Sequence, residues 1–272
     1  MIKTKADVLT QEEFATYALD NRTRNYLEEF VERADLETGE VRVLDWGCGR
    51  GRAVLSLRER GYSAFGVDND PRPLQNASPL FKQKGYADTC LSLIDSEGRT
   101  DYPDSFFHFT YSNQVFEHVE DLELVATELY RLMAPGAEGL HIYPAQRRIV
   151  EGHLLMPFVH WLPKNGLRKG LIWICVALGR EPRWRELDGK TVARKTEAYY
   201  QYSRNRTYYR PYRQVRSVYE NCGFLVESIT SDHPKLNKNR ILSLLARSRP
   251  SRPIVEYLVS TFKTVELHIR KP

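Results

Sequence analysis

Short apolar runs separated by amphipathic stretches fill the first half of the chain, and their order sets out its elements. Residues 41–45, VRVLD, are β-branched and apolar and end in a glycine-rich turn, which predicts a buried strand. Beyond the turn, Ala53, Val54, Leu55 and Leu57 sit among Arg52, Arg58, Glu59 and Arg60, and Gly61 stops the helix they predict. Residues 64–68, AFGVD, predict a second strand, 72–84 a helix interrupted at Pro79, and 90–94 a third strand. Residues 106–112 alternate as a strand, 122–133 read as a helix stopped by Pro135-Gly136, and 140–143 as a further strand. Ahead of all these, Thr10 and Glu13 fit a capping box, so that 11–34 read as one or two amphipathic helices.

After Gln146 this rhythm breaks. It resumes near Tyr212 with a helix over 212–221, Gly223 as its cap, a strand over 224–229 and a last strand over 264–269. Strands alternating with helices through short connections predict an α/β architecture: a doubly wound, mostly parallel, seven-stranded sheet. A long insertion falls between the fifth and sixth strands. The chain divides accordingly into a helical segment (1–40), a ligand-binding core (41–146), the insertion (147–211) and a completion of the core sheet (212–272).

Composition narrows the class. The 272 residues are 42% apolar and 11% aromatic, ample for a buried core and unlike a disordered chain. Cys48, Cys90, Cys175 and Cys222 are scattered without C-x-x-C spacing, which argues against a zinc–cysteine site or a disulfide framework. The polar start MIKTKADVLTQEEF lacks the apolar run of a secretion signal, and no stretch approaches a spanning helix. A soluble protein of a reducing compartment, the cytoplasm, is the expectation, with 171–178 able to touch a bilayer surface. The net charge of +5 hides an asymmetry. Residues 147–216 hold 16 Lys and Arg against five acids, or +11, and the remainder carries −6.

Asp45-Trp46-Gly47-Cys48-Gly49-Arg50-Gly51 joins the first strand to the first core helix. Such a turn lies at the carboxyl edge of a doubly wound sheet, where ligands bind. A dinucleotide fingerprint would place glycine where Arg52 stands, and a P-loop would need a Gly-Lys-Ser/Thr ending, which is absent. Asp68 ends the second strand, placed to accept both hydroxyls of a ribose, or alternatively to cap the next helix.

This arrangement resembles the class I S-adenosylmethionine-dependent methyltransferases, a Rossmann-like family whose first motif has an acid followed by three alternating glycines. The likeness continues in 102–106 (YPDSF), 112–119 (SNQVFEHV) and 129–136 (LYRLMAPG), and so covers 41–144, with 212–270 more loosely similar. It implies S-adenosyl-L-methionine as cofactor. Asp45 and the turn of Gly47, Cys48, Gly49 and Gly51 would then cradle the methionine part, and Asp68 the ribose, with Asn69 near the adenine. Asp95 and Ser96 would meet the adenine amino group, Asp95 alternatively being a turn former; Asn113 and Gln114 would close the methionine end. Two departures stand out: His108 replaces an acid at the start of the fourth strand, and the spacing from Asp95 to Pro103 is long.

Methyl transfer from a sulfonium asks mainly for positioning and removal of water. Specificity therefore falls to the insertion, read as a helical lid. Its arginines and tyrosines, Arg204, Arg206, Tyr208 and Arg210 among them, suit an anionic small or lipid-linked acceptor such as a glycan intermediate. A plain solvated face with tyrosines on the core is the second reading, and RNA the third, disfavoured by a pI near 8.9 and the lack of a recognition module. Residues 170–179, GLIWICVALG, read as a buried lid helix, or as a membrane-surface contact flanked by Arg168, Lys169 and Arg180. His153 and His160 are candidate general bases, with Tyr143 and His141 as further ones; His118 reads equally as a packing or a site residue. No carboxylate–imidazole spacing suggests a metal, so a metal-independent reaction is expected. From other classes, a non-catalytic protein that keeps the pocket as a scaffold competes, and a dehydrogenase is disfavoured by Arg52. The atom methylated, oxygen or nitrogen, and the oligomeric state stay open.

Overall fold

Strand β1, Arg42–Trp46, buries four of its five residues and lies inside the sheet, between β2 and β4. The computed structural model describes residues 19–230 and 240–272. Around β1 the chain adds β2 (Ser63–Asp68), β3 (Leu91–Leu93), β4 (Phe107–Asn113), β5 (Met133–Pro144), β6 (Leu225–Ser228) and β7 (Thr264–Arg270), in the order β3-β2-β1-β4-β5-β7-β6. Pairings among the first five strands are parallel, but β7 runs antiparallel to both β5 and β6. The sheet is therefore mixed, which corrects the mostly parallel expectation. Between β6 and β7 the described residues form two helices, Arg240–Arg247 and Arg252–Phe262, which the hydrophobic pattern does not predict.

The core helices follow the predicted alternation. Helix α1, Asn21–Ala34, is capped by Asp20, whose carboxylate accepts from the backbone of Arg22 and Thr23. The predicted Thr10–Glu13 box and residues 11–18 lie outside the described residues. Helices α2 (Arg52–Arg58), α3 (Pro71–Gln83) and α4 (Leu122–Leu132) link the parallel strands. Contrary to expectation α3 runs through Pro79: that ring is exposed, so the carbonyl it leaves unpaired can meet water. Likewise Pro135-Gly136 does not separate helix from strand. Strand β5 already starts at Met133, with a register shift against β4.

Alternation along β1 sends Leu44 and Val43 into opposite layers. One layer packs Leu44, Phe107, Leu129 and Tyr219, the other Val43, Leu57, Phe81 and Phe109. The insertion carries α5 (Gly166–Ala177) and α6 (Val192–Asn205), followed by α7 (Tyr212–Asn221). It builds a cluster of its own from Leu154, Met156, Val159, Ile172, Val176, Tyr199 and Tyr200. Among the described residues no helix is long and apolar enough to cross a membrane.

Candidate functional site

The turn after β1 is held open by its glycines. Gly47, Gly49 and Gly51 have φ of +81°, +54° and +67°, the left-handed region that side chains avoid. A Cβ on Gly47 would lie 2.5 Å from a Val115 methyl, and one on Gly51 2.9 Å from Leu91. A Cβ on Gly49 would meet nothing within 4 Å, so the backbone there faces open space. Across that space, Asp68 Oδ2 accepts from the Gly49 N–H at 2.8 Å, and its Oδ1 from the Asp70 N–H at 2.9 Å. Asp70, not Asp68, caps α3, accepting from Arg72 N at 3.0 Å. Asp68 is thus tied to the turn, and each of its oxygens keeps a lone pair for a further donor.

Asp45 is nearly enclosed. Burial pushes its pKa up to about 7, with the Tyr111 hydroxyl opposing and the Asp68 carboxylate adding to the rise. Cys48 packs where a Cβ on Gly66 would strike it at 2.7 Å, and burial raises its thiol well above the ordinary range. That is a filler in a tight turn, not a nucleophile. Asn69 and Asn113 are exposed at the ends of β2 and β4, and Gln114, at φ +58°, donates its N–H to the Ile142 carbonyl at 2.8 Å. Asp95 accepts from the N–H groups of Glu97 and Arg99, both at 2.8 Å, closing a turn on which Ser96 is exposed. The structure gives Asp95 the turn-forming role. All of these residues follow strands β1 to β4 along one sheet edge.

A second cluster, built on the insertion, centres on Glu151, a residue that the sequence pattern does not single out. This buried carboxylate accepts from His153 N at 2.8 Å, Leu154 N at 2.5 Å, His153 Nδ1 at 3.0 Å and the Tyr209 hydroxyl at 2.5 Å. Burial alone would raise its pKa, but the hydrogen bonds from His153, Tyr209 and Leu154 outweigh it and lower it to about 2. The Glu151 hydrogen bond in turn raises the pKa of His153. His153 Nε2 lies 3.1 Å from His118 Nε2, beside the buried Glu117. The fold thus joins His118 to a histidine 35 residues away.

Other expected residues land elsewhere. His160 is buried with neither ring nitrogen hydrogen-bonded, its pKa lowered by burial to about 4, and its ring 4.6 Å from Tyr209. Tyr143 and His141 sit in the sheet core against Phe116. Burial raises the Tyr143 phenol and lowers His141 to about 3, which leaves both neutral and inside rather than at the open edge. Arg210 and Tyr208, expected to face an acceptor, are tied up instead. Arg210 donates to the carbonyls of Val119 (2.7 Å), Tyr208 (3.0 Å) and Glu120, and the Tyr208 hydroxyl to Glu120 Oε2 at 3.0 Å. These bonds strap the insertion to the segment after β4. Arg204 and Arg206 remain exposed at the end of α6. Beside the strap a cleft of about 250 Å³ is lined by His160, Lys164, Arg168, Tyr208, Tyr209 and Arg210, with no acid among its lining residues. Helix α5 buries Ile172, Cys175 and Val176 but exposes Leu167, Trp173 and Ile174, with Leu178 exposed just beyond its end, so it is buried on one side only.

Residues 44–140 match the family described as the methyltransferase domain. The 2-heptyl-1-hydroxyquinolin-4(1H)-one methyltransferase of Mycobacteroides abscessus is 33% identical over 106 residues, 38% of this chain and 46% of the relative. The ubiquinone biosynthesis O-methyltransferase of Rickettsia conorii is 24% identical over 51% of this chain and 48% of its own. The matches thus span less than half the length of these curated relatives. Among solved structures, geranyl diphosphate C-methyltransferase from Streptomyces coelicolor, in complex with S-adenosyl-L-homocysteine, covers 92% of this chain and 76% of its own, at TM-score 0.52 and 13% identity. Phosphoethanolamine N-methyltransferase 2 from Haemonchus contortus covers 91% of this chain and 52% of its own, at TM-score 0.50 and 14% identity. At such identities the likeness is one of fold. The resemblance read from residues 41–144 agrees with this match to a methyltransferase domain over residues 44–140.

Proposed function

We propose that the chain is an S-adenosyl-L-methionine-dependent methyltransferase acting on an oxygen or nitrogen of a small, anionic acceptor, with residues 147–211 as the lid over its site. The carrying observation is the Asp68–Gly49 pair: a carboxylate fixed at the end of β2, facing a glycine whose missing side chain leaves open space. The residues fit the cofactor's parts. Asp68 offers acceptors for ribose hydroxyls, Asp45 a buried carboxyl toward the cationic methionine end, and the backbone of Asn113 and Gln114 closes that end. When bound, the cofactor supplies a methyl group already activated on a sulfonium. The protein's part is then to hold the acceptor in line and exclude water. Lys164 and Arg168 around the lid cleft, with Arg204 and Arg206 exposed at the end of α6, favour an acceptor that carries negative charge. The apolar face of Leu167, Trp173, Ile174 and Leu178, flanked by Lys169 and Arg180, supports a second reading in which a lipid-linked acceptor arrives from a membrane surface.

Calorimetric titration with S-adenosyl-L-methionine, S-adenosyl-L-homocysteine and NAD tests the cofactor. Binding of the first two without NAD is expected, and Asp68→Ala should weaken it about 100-fold, since two hydrogen bonds to a carboxylate are lost. Equal affinity in wild type and Asp68→Ala would sink the ribose assignment. Wild-type protein that binds neither ligand would favour the non-catalytic reading.

Asp45 adds a pH dependence. Its carboxyl holds a proton up to about pH 7 in the free protein, whereas a cationic ligand favours the carboxylate. Binding at pH 6 should therefore release a proton, and affinity for S-adenosyl-L-methionine should rise about tenfold from pH 6 to 8 and then level off. Calorimetry at pH 6 in buffers of different ionisation enthalpy reads that proton. S-adenosyl-L-homocysteine, without the sulfonium charge, should release less. A flat profile would place the cation away from Asp45.

A further inference from the structure

Glu117, His118 and His153 converge at one point: a ligand-capable atom from each lies within 4.8 Å of the others. The hydrogens on the two rings can be assigned from their outer partners. His118 Nδ1 is 2.6 Å from the Arg206 carbonyl oxygen, which can only accept, so Nδ1 carries the hydrogen. His153 Nδ1 is 3.0 Å from the Glu151 carboxylate and carries one for the same reason. In their neutral forms both rings then turn bare Nε2 lone pairs toward each other across 3.1 Å. Two acceptors so close repel unless a cation lies between them. Glu117 stands beside them, 2% exposed, with neither carboxylate oxygen hydrogen-bonded. A buried carboxylate without a donor is the third part of an arrangement that lacks only positive charge.

We propose that Glu117, His118 and His153 bind a divalent first-row transition metal of the zinc kind. Two imidazole nitrogens, each about 2.0–2.1 Å from a tetrahedral ion, stand about 3.3 Å apart, close to the separation already present. Rotation of the Glu117 side chain brings in the third ligand. The Arg206 carbonyl and the Glu151 carboxylate become the outer partners that fix each ring's tautomer and direction, a role that carboxylates and carbonyls fill around metal-bound histidines. This replaces the expectation of a metal-free protein: Glu117 and His118 adjoin in sequence, but His153 joins them only through the fold. Three protein ligands leave a position open. The site follows β4 directly, next to Val115, which packs under Gly47. Resting on the methyltransferase reading, that open position takes an oxygen of the acceptor, whose proton leaves to solvent as the oxygen binds. The oxygen's electron pair then forms the new bond to the methyl carbon, and the carbon–sulfur bond breaks with its pair returning to sulfur.

Titration of the metal-stripped full chain with Co²⁺ tests the site through the visible absorption of the bound ion, with S-adenosyl-L-homocysteine binding measured in parallel. One equivalent is expected to bind and to be displaced by Zn²⁺. His118→Ala and His153→Ala should each weaken it at least about 100-fold and Glu117→Gln about tenfold, whereas His108→Ala, removing a remote imidazole, should change nothing. Circular dichroism checks the fold of each variant, and His118→Gln and His153→Gln replace any alanine variant that does not fold. Absence of a Co²⁺ band in wild type would mean that the imidazoles share a proton only. A band unchanged in both histidine variants would place the ion elsewhere. Either result overturns the metal site while leaving S-adenosyl-L-homocysteine binding, and so the methyltransferase reading, standing on its own.

Discussion

Glu151→Ala is expected to lower the unfolding free energy by about 3–5 kcal/mol, the range for removing one partner of a buried charged network. The residue is 1% exposed, so solvent does little to screen what is lost. Two backbone N–H groups, an imidazole N–H and the Tyr209 hydroxyl all donate to it, and the alanine removes the acceptor of all four. One of those donors belongs to Leu154, a fully buried member of the insertion's own cluster, so the damage spreads to the packing of α5 against α6. Tyr209→Phe, which removes a single donor, should cost only about 1–2 kcal/mol. Urea unfolding of both variants gives the comparison. A loss below about 1 kcal/mol for Glu151→Ala would mean that water enters and replaces the carboxylate, and that the insertion is looser than its contacts imply.

That network also shows where sequence reading stops. The strands from 41 to 112 and the glycine turn were legible because both signals are local: apolar runs of strand length, and glycines at backbone positions that a Cβ cannot occupy. The direction of β7 was not, because a strand's own pattern does not record which neighbour it will pair with, and β7 pairs across a return of two helices. Pro79 and Pro135 misled for a related reason. Proline removes one backbone donor, but an exposed site or a register shift absorbs that loss. Arginine in a basic run reads as a surface charge until the fold offers carbonyls to it, as the segment 116–120 does for Arg210. Glu117 and His118 lie within 112–119, a stretch that resembles the methyltransferase family. Their chemistry emerges only when His153 arrives from the insertion.

Gly47→Ala is expected to remove cofactor binding, by at least about 100-fold in affinity for S-adenosyl-L-homocysteine. Two costs combine. A non-glycine residue at φ +81° stores about 1–3 kcal/mol of backbone strain, and the new methyl would lie 2.5 and 2.9 Å from the two Val115 methyl carbons. Neither side can yield cheaply. Gly47 N is held by the Val67 carbonyl at 2.8 Å, and Val115 follows Gln114, itself fixed at positive φ. The strain therefore moves the turn that aligns Gly49 with Asp68, and with it the backbone proposed to cradle the methionine part. The double variant Gly47→Ala/Val115→Ala separates the two costs, because it removes the overlap and keeps the strained dihedral. Recovery of most of the affinity would make the close approach of Val115 the reason for glycine here. Continued loss, with Val115→Ala alone binding normally, would assign the requirement to the left-handed backbone. Unchanged binding in the single variant would contradict both, and would detach this turn from the ligand that its shape is proposed to hold.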